Sequence, residues 1–214
     1  MILTFNDIIS TSDYVLLNIF NFPYLKNEEC SKLLDTVFSQ SIIRHEGSMQ
    51  KYTIDVTSVL KDFLYNRCIP ELTPIISNLF YNGNNCLFTV YTAHIICYSY
   101  EGEGEKNLKI HTDDSDITVN ITLESTDLEG CEVEFHGTTM FANTELIKHF
   151  GRAQRGIGSY STQRIAMKVG ECVLHQGNHP HQTLQIKRGV RKALIIWLKK
   201  NINININKND DRSM

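Results

Sequence analysis

The spacing of apolar residues changes near the middle of the chain. In the first part the pattern is mixed. "DYVLLNIFNF" (13–22) reads as a strand, and "LKNEECSKLLDTVFSQ" (25–40) places Leu33, Leu34, Val37 and Phe38 on one helical face, with Asn27 as N-cap. "VTSVLKDFLYNRCIPELTPIISNLFY" (56–81) predicts one or two helices, interrupted where Pro70 and Pro74 remove backbone donors. From about residue 86 the period shortens to strand-like runs: "CLFTVYTAHIICYSY", "DITVNITLE", "CEVEFHG", "ECVLHQG", "HQTLQIK" and "VRKALIIWLKK". Turn signals separate them ("EGEGE", "LEG", "QGN", "KRG"), and this even spacing predicts an antiparallel sandwich or barrel.

Two stretches break the pattern. Residues 143–161 contain three glycines and have poor strand character, so a surface loop near the barrel mouth is expected. The tail "NINININKNDDRSM" alternates Asn and Ile, but Asn is a poor strand former and the end is charged, so a flexible tail over 201–214 is expected.

Composition narrows the class. With 42% apolar and 21% charged residues, the bulk of the chain should fold, and 214 residues fit one domain. A net charge of -3 gives no broad case for binding nucleic acid or an anionic membrane, although Lys187, Arg188, Arg191 and Lys192 form a local basic group. No apolar run is long enough to span a bilayer. The N-terminus lacks a basic start and holds Asp7 and Asp13 within its apolar run, which argues against a secretory signal. The six cysteines are scattered without a CxxC pair, so an intracellular, cytoplasmic setting is expected, with the thiols serving as small core residues.

The candidate chemistry begins at "IHTDDSDITVNITLE" (110–124). A strand puts residues i and i+2 on one face, so His111 and Asp113 can address one ion. Taken alone, the stretch reads as an Asp-rich turn, because about 0.4 HxD matches arise by chance in this composition. Asp114 is expected in solvent and Asp116 at a turn. The second piece is "HPHQTLQIKRGVR", with His181 and, ten residues on, Arg191. A turn at Lys187 to Gly189 would set Arg191 opposite Gln185 and on the face of His181, about 14 Å away. A one-residue slip would reverse that face. Two histidines and one aspartate leave three positions of an octahedral ion open, the arrangement of non-haem iron(II) oxygenases. An arginine supplies a fork for a carboxylate. His45, His94, His136 and His149 lack partner spacing and read as surface or packed residues, and Trp197 as a core anchor.

Across residues 50–198 these elements, in this order, resemble the catalytic domain of 2-oxoglutarate and Fe(II)-dependent dioxygenases. The likeness is strongest to the prolyl/lysyl hydroxylase-like branch, and within it to the group named 2-oxoglutarate and iron-dependent oxygenase domain-containing protein 2. The resemblance implies an α+β, mainly β fold: a double-stranded β-helix, or jelly roll, over 86–200, with N-terminal supporting helices in 1–85. It also implies His111, Asp113 and His181 as iron ligands and Arg191 on the distal carboxylate of 2-oxoglutarate. His181 rather than His179 takes the ligand role because Arg191 follows it by ten residues, and His175 falls in the preceding strand. Tyr98 matches the family's tyrosine upstream of HxD. Asn120 and Thr122 fall on the strand after it, where period 2 sets Thr118 with them on one polar face. The chain departs from the family where Gly130-Cys131 replaces a usual Gly-Gly.

By this resemblance Fe(II), 2-oxoglutarate, O2 and ascorbate are the expected cofactors. The expected reaction is hydroxylation of a prolyl or lysyl side chain of a protein or peptide, with release of succinate and CO2. The acidic "YEGEGE" would suit a basic peptide, although such a stretch is also ordinary for a solvated hairpin loop. A non-catalytic jelly-roll module that keeps the metal site is the alternative. A zinc hydrolase is disfavoured by the lack of an HExxH helix.

Overall fold

The computed structural model describes residues 18–39, 53–137 and 162–201. The expected loop at 143–161 and the tail beyond Asn201 lie outside the described residues, as do His45 and His149. The strands are β1 (Phe20–Pro23), β2 (Thr53–Asp55), β3 (Phe88–Ser99), β4 (Leu108–His111), β5 (Ile117–Gly130), β6 (Val133–His136), β7 (Thr162–Ile165), β8 (Glu171–Gln176), β9 (His181–Thr183) and β10 (Ile186–Lys200). They form a larger sheet in the order β1-β8-β5-β10-β3-β2 and a smaller one in the order β4-β9-β6-β7. The named pairings are antiparallel. The architecture is a jelly roll.

Alternation along the central strands builds the two sides of the larger sheet. On β5, Val119, Ile121 and Leu123 join the main apolar core with Leu194, Ile196 and Leu198 of β10. The intervening Thr118, Asn120 and Thr122 are buried on the opposite face, inside the roll. Helices cover the apolar face. α1 (Asn27–Phe38) packs over β5, and α2 (Ile69–Phe80) lies against β3. Phe20 and Phe80 meet edge to face at 5.2 Å, locking α2 to β1.

Several expectations are corrected here. Lys26, not Asn27, holds the cap position of α1, because Glu29 lies three residues on and its Oε2 accepts the Lys26 N–H at 2.8 Å. Phe38, the last residue of the helix, turns past the buried face of Cys30, Leu34 and Val37 and is exposed. The prolines do not end the second helix. A helical turn (Lys61–Phe63) runs into a π-helical stretch (Leu64–Cys68), where the Ile69 N–H reaches back five residues to the Leu64 carbonyl. α2 then follows without a break, with Pro70 directly after the π-helical stretch and Pro74 inside it.

The first 85 residues are also more than helical support, since β1 and β2 are edge strands of the larger sheet. Finally, there is no hairpin turn at Lys187 to Gly189. β9 belongs to the smaller sheet, while β10 begins at Ile186 and continues through those residues by register shifts against β5. Gly189 has φ +79°, and a Cβ there would lie 2.1 Å from the Thr126 carbonyl oxygen, which is why the irregular step falls on a glycine. Arg191 accordingly faces Ser125 and Tyr98 across its neighbours, not Gln185.

Candidate metal centre

Strand pairing in the smaller sheet brings the two histidines together. His111 at the end of β4 is the direct cross-strand partner of His181 at the start of β9, and their ring centroids are 4.4 Å apart. On its other side His181 pairs with Phe135 of β6, whose ring stacks on it at 5.5 Å. Asp113 follows β4 on a segment tied to the turn after β8: its N–H donates to the Gly177 carbonyl at 2.8 Å. That approach needs Gly177, where a Cβ would sit 2.1 Å from the Ser115 oxygen.

His111, Asp113 and His181 each offer a ligand atom, and these atoms all lie within 4.8 Å of one another. His111 Nε2 is 3.5 Å from Asp113 Oδ1, and His181 Nε2 is 3.7 Å from Oδ2. The opposite ring nitrogens are held by backbone carbonyls. His111 Nδ1 lies 2.7 Å from the Lys109 oxygen, and His181 Nδ1 lies 2.9 Å from the His179 oxygen. A carbonyl can only accept, so each Nδ1 carries a proton, and in the neutral rings both Nε2 atoms present bare lone pairs, the form a metal takes. The Thr118 hydroxyl donates to Asp113 Oδ2 at 2.6 Å.

The electrostatics suit a cation. Burial would raise the Asp113 pKa, but His111 beside it and the nearby His181 and His175 outweigh it and hold the carboxyl well below its usual range. Burial disfavours the His111 imidazolium, yet the Asp113 carboxylate more than compensates and raises its pKa. His181 is more deeply buried, and desolvation lowers its pKa. His179 stands apart from the three-residue group; it is buried against Phe135, with its pKa held down to about 4 by desolvation.

The other expected residues meet on the inner face of the larger sheet. Arg191 of β10 is 2% exposed. Its Nε donates to Thr122 Oγ1 at 3.2 Å, its Nη2 to Asn120 Oδ1 at 3.3 Å and to Met167 Sδ at 3.3 Å, and its guanidinium lies over the Tyr98 ring at 5.8 Å. Among the described residues no carboxylate pairs with it. A buried guanidinium with only neutral partners is expensive and calls for an anion. Tyr98 donates to or accepts from Thr183 Oγ1 at 3.1 Å, and burial pushes its hydroxyl up to about 12, so it stays protonated. Cys131 takes a left-handed φ of +64° directly after Gly130 at +76°. Burial raises the Cys131 thiol pKa, and the nearby Arg191 charge opposes that rise.

A cavity of about 1000 Å³ is lined by His111, Asp113, His181, Tyr98, Thr118 and Asn120 and reaches across the sheet to Asp55 on β2; Arg191 is not part of its lining and meets it through Asn120 and Tyr98. Two of its walls were missed in the sequence. His94 and Trp197, which read as packed residues, face the cavity and meet edge to face at 5.5 Å. Their signal was phase: His94 shares its strand face with Tyr98 on β3, and Trp197 with Arg191 on β10. The remaining aspartates take structural parts. Asp114 is exposed and pairs with Lys199 at 2.6 Å, while Asp116 Oδ2 accepts the Lys200 N–H at 2.7 Å. The basic group at 187–192 disperses, since Arg191 is buried and Lys192 pairs with Glu124 at 2.5 Å.

Among known proteins, 2-oxoglutarate and iron-dependent oxygenase domain-containing protein 2 of Danio rerio is 26% identical over 188 residues, covering 85% of this chain and 49% of that protein. The chain is similar to 2-oxoglutarate and iron-dependent oxygenases. It spans about half the length of this curated relative. No family model matches it. Among solved structures, a 2OG-Fe(II) oxygenase family oxidoreductase from Burkholderia pseudomallei superposes with a TM-score of 0.63 at 12% identity, covering 92% of this chain and 90% of the other. The viral collagen prolyl hydroxylase of Paramecium Bursaria Chlorella virus-1 superposes with a TM-score of 0.53 at 12% identity, covering 86% and 91%. These structural likenesses establish the jelly-roll fold. Among the described residues no helix is long and apolar enough to cross a membrane.

Proposed function

We propose that this chain is an Fe(II)- and 2-oxoglutarate-dependent oxygenase that hydroxylates a side chain of a protein or peptide, with lysine and proline the first candidates. His111, Asp113 and His181 would hold the iron, and Arg191, supported by Asn120, Thr122 and Tyr98, would hold the far carboxylate of 2-oxoglutarate. The observation that carries the reading is the buried Arg191 guanidinium without a carboxylate partner among the described residues. It shares one face of β5 with the metal group. Thr118 supports Asp113, and Asn120, two residues and about 7 Å further along, supports Arg191.

Iron held by these residues would, with 2-oxoglutarate and O2, supply the oxidative decarboxylation that gives succinate and CO2, one oxygen atom entering succinate and the other the substrate C–H bond. The chain's own residues bind and orient. Nδ1–H contacts to backbone carbonyls fix both imidazoles, Thr118 holds Asp113, and the protonated Tyr98 hydroxyl with Thr183 closes the pocket wall. The likeness to a collagen prolyl hydroxylase fold and the carboxylates of Asp55 and Glu105 on the cavity wall support a peptide substrate, basic in character.

Purified protein given Fe(II), ascorbate and 2-oxoglutarate is expected to form succinate slowly without a substrate, and faster with a matching lysine- or proline-bearing peptide. His181→Ala and Asp113→Ala should abolish both, while His179→Ala keeps most of the activity. Succinate formation by Asp113→Ala at the wild-type rate would refute the assignment.

A further inference from the structure

A third imidazole faces the Asp113 carboxylate. His175 on β8 is fully buried and lies directly across from Thr118 of β5. Its Nδ1 is 2.9 Å from the Gln176 carbonyl oxygen. The proton therefore sits on Nδ1, and Nε2 is a bare acceptor. His111 and His181 are set by the same device, and all three bare nitrogens turn toward Asp113, at 3.5, 3.7 and 3.9 Å for His111, His181 and His175 respectively. For His111 and His181 a metal ion accounts for the lone pair. His175 falls outside the group of mutually close ligand atoms, and its Nε2 has no hydrogen-bond partner among the described residues.

Two acceptors turned on each other repel, and a buried acceptor left unpaired is costly. The arrangement therefore asks for a donor to both. A distance of 3.9 Å between Nε2 and Asp113 Oδ2 is too long for a direct hydrogen bond, but it suits one water molecule seated beside the pair and donating a proton to each, at about 2.8 Å. The ring cannot swing away to solvent. It packs edge-on against His181 at 4.7 Å and against Phe135 at 5.0 Å.

We propose that His175 is a positioning residue of the metal centre: its Nε2 accepts a hydrogen bond from a buried water whose other proton goes to Asp113 Oδ2, fixing the carboxylate toward the ion. Thr118 grips the same oxygen from the protein side, so the two contacts together determine how Asp113 meets the metal. The inference rests on His111, Asp113 and His181 being the ligands.

Mn(II) titration of the full chain, read by the EPR signal of the free ion, tests it without any turnover. His175→Phe keeps the ring but offers no acceptor. His175→Asn keeps a donor for the Gln176 carbonyl but has nothing at the Nε2 position, and His175→Gln places an amide oxygen there. Both Phe and Asn variants should bind Mn(II) roughly 10- to 100-fold more weakly than wild type, the usual effect of removing a residue that orients a metal ligand, and Gln should recover most of the affinity. Pulsed EPR of the Cu(II)-substituted protein should count two imidazole nitrogens in wild type and in the folded variants alike. Circular dichroism of the apo proteins checks the fold, and the Asn variant carries the test if Phe does not fold. Unchanged Mn(II) affinity in the Asn variant, or a third imidazole nitrogen in wild type that the variant loses, overturns the proposal. Absence of Mn(II) binding in wild type would instead bring down the metal-centre reading itself.

Discussion

At the scale of single residues, burial of histidine sets how the protein responds to acid. His94 faces the cavity against Trp197, and desolvation holds its pKa down to about 4, opposed by the Asp113 and Asp55 charges. An unfolded histidine titrates near 6.5. Between those two values the unfolded chain binds more protons than the folded one, so stability is complete above pH 6.5 and is lost as pH falls toward 4. His94→Phe keeps an aromatic ring for the edge-to-face contact and removes the titration. Urea midpoints of metal-free protein at pH 7.5, 6 and 5 should therefore decline less steeply for this variant than for wild type. A decline remains, because His175 and His179 have depressed pKa values of the same sign. Equal slopes for the two proteins would mean that His94 is hydrated in the native state.

At the scale of elements, β10 does the most to set the site, and its irregular start is the sensitive point. Gly189 has φ +79°, with the Thr126 and Asp127 carbonyl oxygens 2.1 and 2.5 Å from where a Cβ would be. Gly189→Ala meets both the left-handed backbone penalty and a clash with backbone that cannot rotate away, so a loss of about 2 kcal/mol or more is expected in urea unfolding. Arg191 lies two residues on, so the affinity for 2-oxoglutarate should fall with it; an alanine variant of wild-type stability would refute this account of the step. The same element marks the limit of what the sequence discloses. Its apolar alternation from Val190 onward was legible, as were the polar face of β5 and the grouping of His111, Asp113 and His181 through the family resemblance. The path between His181 and Arg191 was not. "QIKRGVR" has the composition of a hairpin turn, and only the sheet partners of each side reveal that the chain crosses from the smaller sheet to the larger one. β2, β4 and β7 have three or four residues each, too few for period 2 to register.

At the scale of the whole molecule, the two sheets contribute different halves of the site. The smaller sheet holds His111 and His181, while the larger holds Arg191, Tyr98, Asn120 and Thr122. Ligands spanning both should therefore add to global stability, in an order fixed by chemistry: Mn(II) first, then 2-oxoglutarate through the ion and Arg191. At 100 times its dissociation constant 2-oxoglutarate should add about 2.7 kcal/mol to the Mn(II)-loaded protein, which for a chain of this size is roughly 5–10 °C in Tm. Without metal the gain should be far smaller. Arg191→Met separates the two contributions. The substitution removes a buried charge that has only neutral partners, so the metal-free variant should be as stable as wild type or more so, although Thr122 and Asn120 lose a donor. Its Mn(II) shift should persist, since no metal ligand has changed, while the further shift with 2-oxoglutarate should vanish. Differential scanning fluorimetry of both proteins, metal-free, with Mn(II), and with Mn(II) plus 2-oxoglutarate, reads all of these quantities. A 2-oxoglutarate shift in Arg191→Met equal to that of wild type would place the co-substrate's far carboxylate elsewhere in the cavity.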